Sequence, residues 1–233
     1  MFLIKSIKIL IKNLIFFSDL KIWLKVFRKS HKNNSYNWAT STIDIYVLRK
    51  LIKTHNPKNI LELGTGIGAS TEAIVDQMSN ETNLVSLENN SSCINTVKKK
   101  LIPYRKNYNI IKTEVKICKK KINIETLIYK ISRKLNVSNY DLIYIDGPSF
   151  LFNKNKKKFI TGLPRGDIFY FYNKIKIGCI VIIDGSLITQ KQVFRFCRSI
   201  KFLEIFKYFG FTKRYNDNLF DSEYQKLKTW KYL

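Results

Sequence analysis

Apolar positions along this chain follow two rhythms. Over residues 42–54, Ile43, Ile45, Val47, Leu48, Leu51 and Ile52 recur at helical spacing, and Pro57 ends the run. Short, mostly apolar runs then come at intervals: NILEL (59–63), NLVSL (83–87), residues 108–113, DLIYI (141–145) and GCIVII (178–183). Between them, the spacing predicts helices over 71–78, 91–101, 122–135, 165–174 and 193–199. Two aromatic-rich strands are predicted over 203–211 and 219–227, on either side of Asn216-Asp217-Asn218. The charged stretch NKNKKK (153–158) reads as a solvated loop. Apolar strands that alternate with helices indicate a mostly parallel sheet covered on both faces, here of seven strands, in a doubly wound α/β fold.

The first thirty residues break this pattern. Lys5, Lys8 and Lys12 share one helical face, while Ile7, Leu10, Ile11, Leu14 and Ile15 share another. Trp23 and Phe27 follow among Lys21, Lys25, Arg28 and Lys29. The lysines interrupt the apolar run too often for a signal peptide or a membrane-spanning helix. A basic amphipathic helix suits an anionic membrane surface, here through residues 1–29, and suits equally a helix packed on its own domain. The polar HKNNSYNW (31–38) then reads as a linker. The expected organisation is a helical extension and linker over 1–38 and one catalytic-type domain over 39–233.

Composition adds one outlier. The net charge is +25, from 42 Lys and Arg against 17 acids. Such a field favours anionic partners. However, 34 of the cations are lysine, and the chain is also rich in Ile and Asn, all residues with A/T-rich codons. A low-GC genome would inflate the charge in the same way, so a composition effect and a real anionic partner both stay open. The four cysteines form no CxxC pair and the histidines are only His31 and His55, so no zinc pattern and no disulfide framework is present. A reducing, cytoplasmic setting is expected, with the inner membrane surface as one of the two places open to the extension.

The chemistry concentrates in ILELGTGIGAST (60–71). Gly64, Gly66 and Gly68 follow the first strand, where glycines permit a sharp turn and let a ligand touch the backbone. The next helix aims its N-terminus at that place and favours an anionic group. Glu88 lies 20 residues past Gly68, the separation at which an acid accepts hydrogen bonds from ribose hydroxyls. Gly64-x-Gly66-x-x-Ala69 also fits a relaxed dinucleotide fingerprint, so NAD is not excluded by this stretch. Glu62 separates the two. A carboxylate in a buried strand needs a partner. A ligand with an amino-acid moiety supplies an ammonium group, and NAD has none.

ILELGTGIGAST resembles the first motif of class I S-adenosylmethionine-dependent methyltransferases, which have a Rossmann-like sheet. LVSLENN, YDLIYIDGPSF and GCIVIIDGS are similar to their motifs at the second, fourth and fifth strands. GTGxGxST with IDG resembles the branch containing macrocin-type sugar and related small-molecule O-methyltransferases. The resemblance implies that Gly64, Thr65, Gly66 and Gly68 line the methionine part of the cofactor. It implies that Glu62 holds the amino group, Ser70 and Thr71 lie near the carboxylate, and Glu88 binds the ribose. Glu114 would approach the adenine, and Asp146 would stand beside the sulfonium and the acceptor.

Related sugar and catechol enzymes hold a divalent metal at the ends of the fourth and fifth strands, where Asp146 and Asp184 fall here. The fifth strand continues into Gly185, where metal-dependent relatives carry a second acid or amide. One expected Mg²⁺ ligand is therefore missing, which puts the metal in doubt; no metal residue is assigned, and without Mg²⁺ the general base is Asp146 or Asp184. Arg165, in GLPRGD, is expected at a helix start by the site mouth, to bind a substrate carboxylate or phosphate. The leading expectation is an O-methyltransferase acting on a small-molecule, glycan or lipid-linked acceptor. RNA ribose methylation is an alternative. A non-catalytic membrane-associated module is another, though its glycines and Glu88 would be expected to have decayed.

Overall fold

The computed structural model describes residues 42–119, 121–153, 157–183, 186–196, 202–206 and 228–232. The N-terminal extension, Asp184 and most of the tail lie outside the described residues.

The chain alternates helix and strand through its first half: α1 (Thr42–His55), β1 (Asn59–Leu63), α2 (Ala69–Gln77), β2 (Asn83–Glu88), α3 (Ser91–Leu101) and β3 (Asn107–Lys112). The second half is less regular. It holds β4 (Val115–Cys118), β5 (Thr126–Tyr129), two 3₁₀ turns, β6 (Leu142–Ile145), β7 (Phe150–Asn153), β8 (Lys158–Thr161), the single-turn α4 (Ile168–Phe171), β9 (Ile180–Ile183), α5 (Leu187–Phe196), β10 (Phe202–Phe206) and β11 (Lys228–Tyr232).

The centre of the molecule is a parallel run ordered β3-β2-β1-β6-β9. At its edge β11 pairs antiparallel with β9, and β10 with β11. This is an α/β Rossmann-like arrangement. Alternate residues of each central strand enter opposite cores, because successive side chains point to opposite faces. Leu61, Leu63, Ile143, Ile145, Val181 and Ile183 join one. Ile60, Leu142, Tyr144, Ile180 and Ile182 join the other, with Leu48, Leu51 and Ile52 of α1 packed on them. Burial on both faces is why these strands read as continuous apolar runs rather than alternating ones. The register sets Leu63 opposite Leu87 and Ile145, and Ile145 opposite Ile183, so four strands end level at one edge.

Several expectations need correction. The helix expected over 122–135 is absent. Thr126–Tyr129 is instead a fully buried strand, paired antiparallel with β4 and bridged to Arg165. Its apolar spacing looked helical because Ile122, Leu127, Ile131 and Leu135 all reach one core by different routes. The helix expected over 165–174 shrinks to α4 and a 3₁₀ turn. The helix expected over 193–199 begins earlier, at Leu187. The charged loop over 153–158 is flanked by an antiparallel hairpin, β7–β8. The strand expected over 219–227 lies outside the described residues; the strand that pairs with β9 begins at Lys228.

Candidate active site

The loop after β1 and the loop after β6 meet backbone to backbone. The N–H groups of Asp146 and Gly147 both donate to Leu63 O, at 2.9 and 2.5 Å. A Cβ on Gly64 would lie 2.6 Å from Gly147 N, and one on Gly147 would lie 2.9 Å from Gly64 Cα and 2.7 Å from the Tyr129 hydroxyl. Any side chain at either position would push the loops apart. Gly64 also has φ +100°, a region that favours glycine. This contact brings the GTG and IDG segments together and sets Asp146 beside the glycine loop.

Glu62 is fully buried, and its partners are three hydroxyls. Ser70 donates to Oε1 at 2.7 Å, while Thr71 and Ser86 donate to Oε2 at 2.8 and 2.5 Å. Ser86 is its register partner on β2. Burial pushes the Glu62 carboxyl up to about 7, against the opposing pull of these hydrogen bonds. A ligand ammonium is therefore not needed to satisfy this acid, which removes the premise on which Glu62 separated an amino-acid-bearing ligand from NAD. Ser70 and Thr71 are buried with their hydroxyls turned inward to Glu62. They can serve a ligand only through backbone N–H groups. Those of the first turn of α2 have no partner within the helix.

Glu88, at the end of β2, is also buried and closely held. Oε2 accepts from Thr65 Oγ1 (3.1 Å) and Gly66 N (3.0 Å), and Oε1 accepts from Asn89 N and Asn90 N (both 2.8 Å). It ties the glycine loop to the neighbouring strand. On the other side, Lys100 Nζ donates to Ile67 O at 2.8 Å. Gly68, φ +86°, caps α2, and a Cβ there would lie 2.7 Å from Val97.

Arg165 is not where the sequence put it. It starts no helix, is only 6% exposed, and bridges to Leu127. Its guanidinium donates to Ile145 O (2.9 Å), Asp146 Oδ1 (3.1 Å) and Ser149 Oγ (3.3 Å), and its backbone N–H donates to Thr189 Oγ1 (2.8 Å). The side chain points inward and holds the loop that carries Asp146. Glu114 is exposed and ion-paired to Lys130, away from the packed loop.

Two buried residues escaped sequence reasoning. Tyr129 presses its hydroxyl on Gly147, and its pKa is raised well above 10, chiefly by burial, then by Glu88, Asp167 and Asp146. Asp167 accepts from Tyr129 N (2.9 Å) and from Ser132 Oγ. Burial pushes it up to about 7. Nothing in the local sequence marks either residue. Ser86 had a faint signal, a hydroxyl within an otherwise apolar strand, but its role depends on strand register.

The edge therefore gathers Gly64–Gly68, Glu88, Asp146 and the N-terminus of α2. Such an edge can receive an anionic group on backbone N–H donors and polar hydroxyls on a carboxylate. Among the described residues no three His, Cys, Asp or Glu groups cluster as metal ligands. Among them, too, no helix is long and apolar enough to cross a membrane.

A family model described as O-methyltransferase matches residues 17–206. A comparison of the sequence with curated proteins finds no significant match. Among solved structures, the chain is similar to the SAH-bound methyltransferase PaMTH1 of Podospora anserina, with 12% identity and TM-score 0.53 over 92% of this chain and 87% of that one. It is similar also to a proposed O-methyltransferase from Klebsiella pneumoniae, with 13% identity and TM-score 0.53 over 91% and 89%. At these identities the likeness establishes the fold.

Proposed function

The chain belongs to the O-methyltransferase family and is an enzyme, and on that premise we propose that it moves the methyl group of S-adenosylmethionine to a hydroxyl of a small-molecule, glycan or lipid-linked acceptor. The observation that carries this reading is the contact of Gly64 with Gly147, which joins the glycine loop, Glu88 and Asp146 at one sheet edge.

When bound, S-adenosylmethionine supplies a methyl group already activated on a sulfonium, so the protein's work is alignment and exclusion of water. The first-turn N–H groups of α2 would hold the methionine carboxylate, and the loop Thr65–Gly68 would line the methionine part. Glu88 would accept from the ribose hydroxyls, with the Thr65 hydroxyl giving way and the Gly66 N–H kept. Glu62 contributes through Ser70 and Thr71, by fixing the start of α2. Asp146, with its side chain 27% exposed, orients the acceptor hydroxyl and takes its proton, while Arg165 holds Asp146 in place. Asp184 is the other base candidate. Mg²⁺ does not fit well at Asp146, because a guanidinium already occupies one carboxylate oxygen; no step is assigned to a metal. The net charge of +25 favours RNA ribose as a second acceptor class.

Calorimetric titration with S-adenosylmethionine and with NAD, on the parent protein and on Glu88→Ala, tests this. The expected result is binding of S-adenosylmethionine that the variant weakens by about 10-fold or more, the scale of a lost charged hydrogen bond. Binding of NAD instead, or of neither, overturns the reading.

A further inference from the structure

The hairpin β7–β8 leaves the site four residues past Asp146 and has two unlike faces. Its register pairs Phe150 with Thr161, Leu151 with Ile160, Phe152 with Phe159 and Asn153 with Lys158. Side chains alternate along each strand, so Leu151 and Ile160 share one face. Leu151 packs against the core below the sheet edge. The other face carries Phe150, Phe152 and Phe159. Phe159 stands 5.2 Å from Phe150, edge-to-face, and 5.1 Å from Phe152. In a hairpin turned to water, this outer face would be polar. Here Phe152 is 48% and Phe159 is 59% exposed.

The other large exposed apolar residues among those described are isoleucines: Ile102, Ile117, Ile177 and Ile188. The exposed phenylalanines among the described residues, Phe152 and Phe159, are both on this hairpin and touch one another. Exposed Lys157 and Lys158 lie at the turn end of the hairpin, Lys157 just before β8 and Lys158, opposite Asn153, on the Leu151–Ile160 side. An aromatic face bordered by lysines, on a chain of net charge +25, is complementary to one kind of surface. Rings enter the headgroup boundary of a bilayer and lysines meet anionic headgroups.

We propose that the outer face of this hairpin, Phe150, Phe152 and Phe159, with Lys157 and Lys158 at its turn end, docks the protein on an anionic lipid bilayer, with the Asp146 edge turned toward the membrane. This rests on the proposed function for its consequence: an acceptor anchored in, or partitioned into, the bilayer arrives at the edge where methyl transfer takes place. The docking itself is independent of that reading.

Vesicle flotation of the full-length protein is the test, with phosphatidylcholine alone and with phosphatidylcholine mixed with phosphatidylglycerol. The parent is expected to float with the anionic vesicles. Phe152→Ser/Phe159→Ser is expected to lower the partition by about 10-fold or more, and Lys157→Glu/Lys158→Glu by a similar factor that added salt erases in the parent. Ile177→Ser, before β9 at the opposite end of the sheet, leaves partition unchanged. If the phenylalanine variant floats like the parent, the hairpin is not the contact, and the basic segment 1–29 is. A parent that floats with neither vesicle, or forms a dimer that the phenylalanine substitutions abolish, also overturns the proposal. Should the double variant melt early, Phe152→Trp provides the second measurement. Extra quenching by brominated lipid chains, over the parent's own tryptophan signal, supports docking, and none refutes it. Titration with S-adenosylmethionine on the same samples separates failure of docking from failure of the methyltransferase reading.

Discussion

The two halves of the sheet edge hold their acids in different ways. On the β1–β2 side, Glu62 and Glu88 are satisfied within one strand-loop-helix-strand unit: Ser70, Thr71 and Ser86 serve the first, and Thr65, Gly66, Asn89 and Asn90 serve the second. On the β6 side, Asp146 and Asp167 depend on groups from separate segments. Arg165 reaches Asp146 from the stretch before α4, and its own N–H is held by Thr189 of α5. Asp167 is held by Ser132 and by the backbone of Tyr129. The first half is a self-contained binding unit. The second is an assembly that exists only when β5, the β6 loop and α5 are all in place.

The seam between the halves is where a single atom does most damage. Gly147→Ala is expected to destabilise the protein by about 2–4 kcal/mol, because the added Cβ meets backbone on one side and the Tyr129 hydroxyl on the other. Gly64→Ala should match it and add the strain of φ +100°. Urea unfolding at constant m-value checks both, and a fall below about 1 kcal/mol for either would show that the halves are not locked at this contact.

Next comes the assembled half itself. Arg165→Met leaves Asp146 and Ile145 O without their shared donor, and a loss of about 2 kcal/mol is expected, less than for a wholly buried pair because Asp146 is partly solvated. Arg165→Lys should recover some stability but little turnover if orientation of Asp146 is what matters. Turnover equal to the parent in Arg165→Lys would assign the guanidinium a purely structural part.

The pH dependence compares the halves directly, since each holds one acid pushed up to about 7: Glu62 and Asp167. A carboxyl with a folded pKa above its unfolded value binds more protons when folded. Its stabilisation is therefore present at low pH and lost as pH rises from about 4 to 7. Stability should fall over that window by on the order of 3 kcal/mol per group. Glu62→Gln and Asp167→Asn should each remove part of the slope, measurable as the urea midpoint at a series of pH values. A parent midpoint that rises over the same window would contradict both assignments.

The smallest effect belongs to the surface. Lys58 pairs with Glu81, and both are exposed. Glu81→Gln should leave the melting temperature within experimental scatter, because solvent screens such pairs.

Local sequence carried the first half well. Gly64, Gly66 and Gly68 all adopt positive φ, a requirement written in residue type, and the strands after Asn59 and Asn83 are apolar because both of their faces are buried. α3 starts at Asn90, whose side chain caps Ser92 N, another signal confined to a few residues. The second half was far less legible. Residues 122–135 hold apolar positions at helical spacing, yet β5 forms there because Thr126–Tyr129 finds an antiparallel partner in β4 and a bridge at Arg165. Arg165 looked like a mouth residue because sequence gives a charge but no direction for it.

The sequence by itself determined the alternation of strand and helix, the glycine loop and the acids at strand ends, since each follows from backbone freedom or from periodicity within a few residues. Tertiary structure alone decided where those acids find their donors. Hydrogen bonds to Glu62 from Ser86, to Asp146 from Arg165 and to Asp167 from Ser132 span 19 to 35 residues. They form because desolvating a carboxylate costs more than any local preference can offset, so the fold that brings partners to each buried acid is the one the chain adopts.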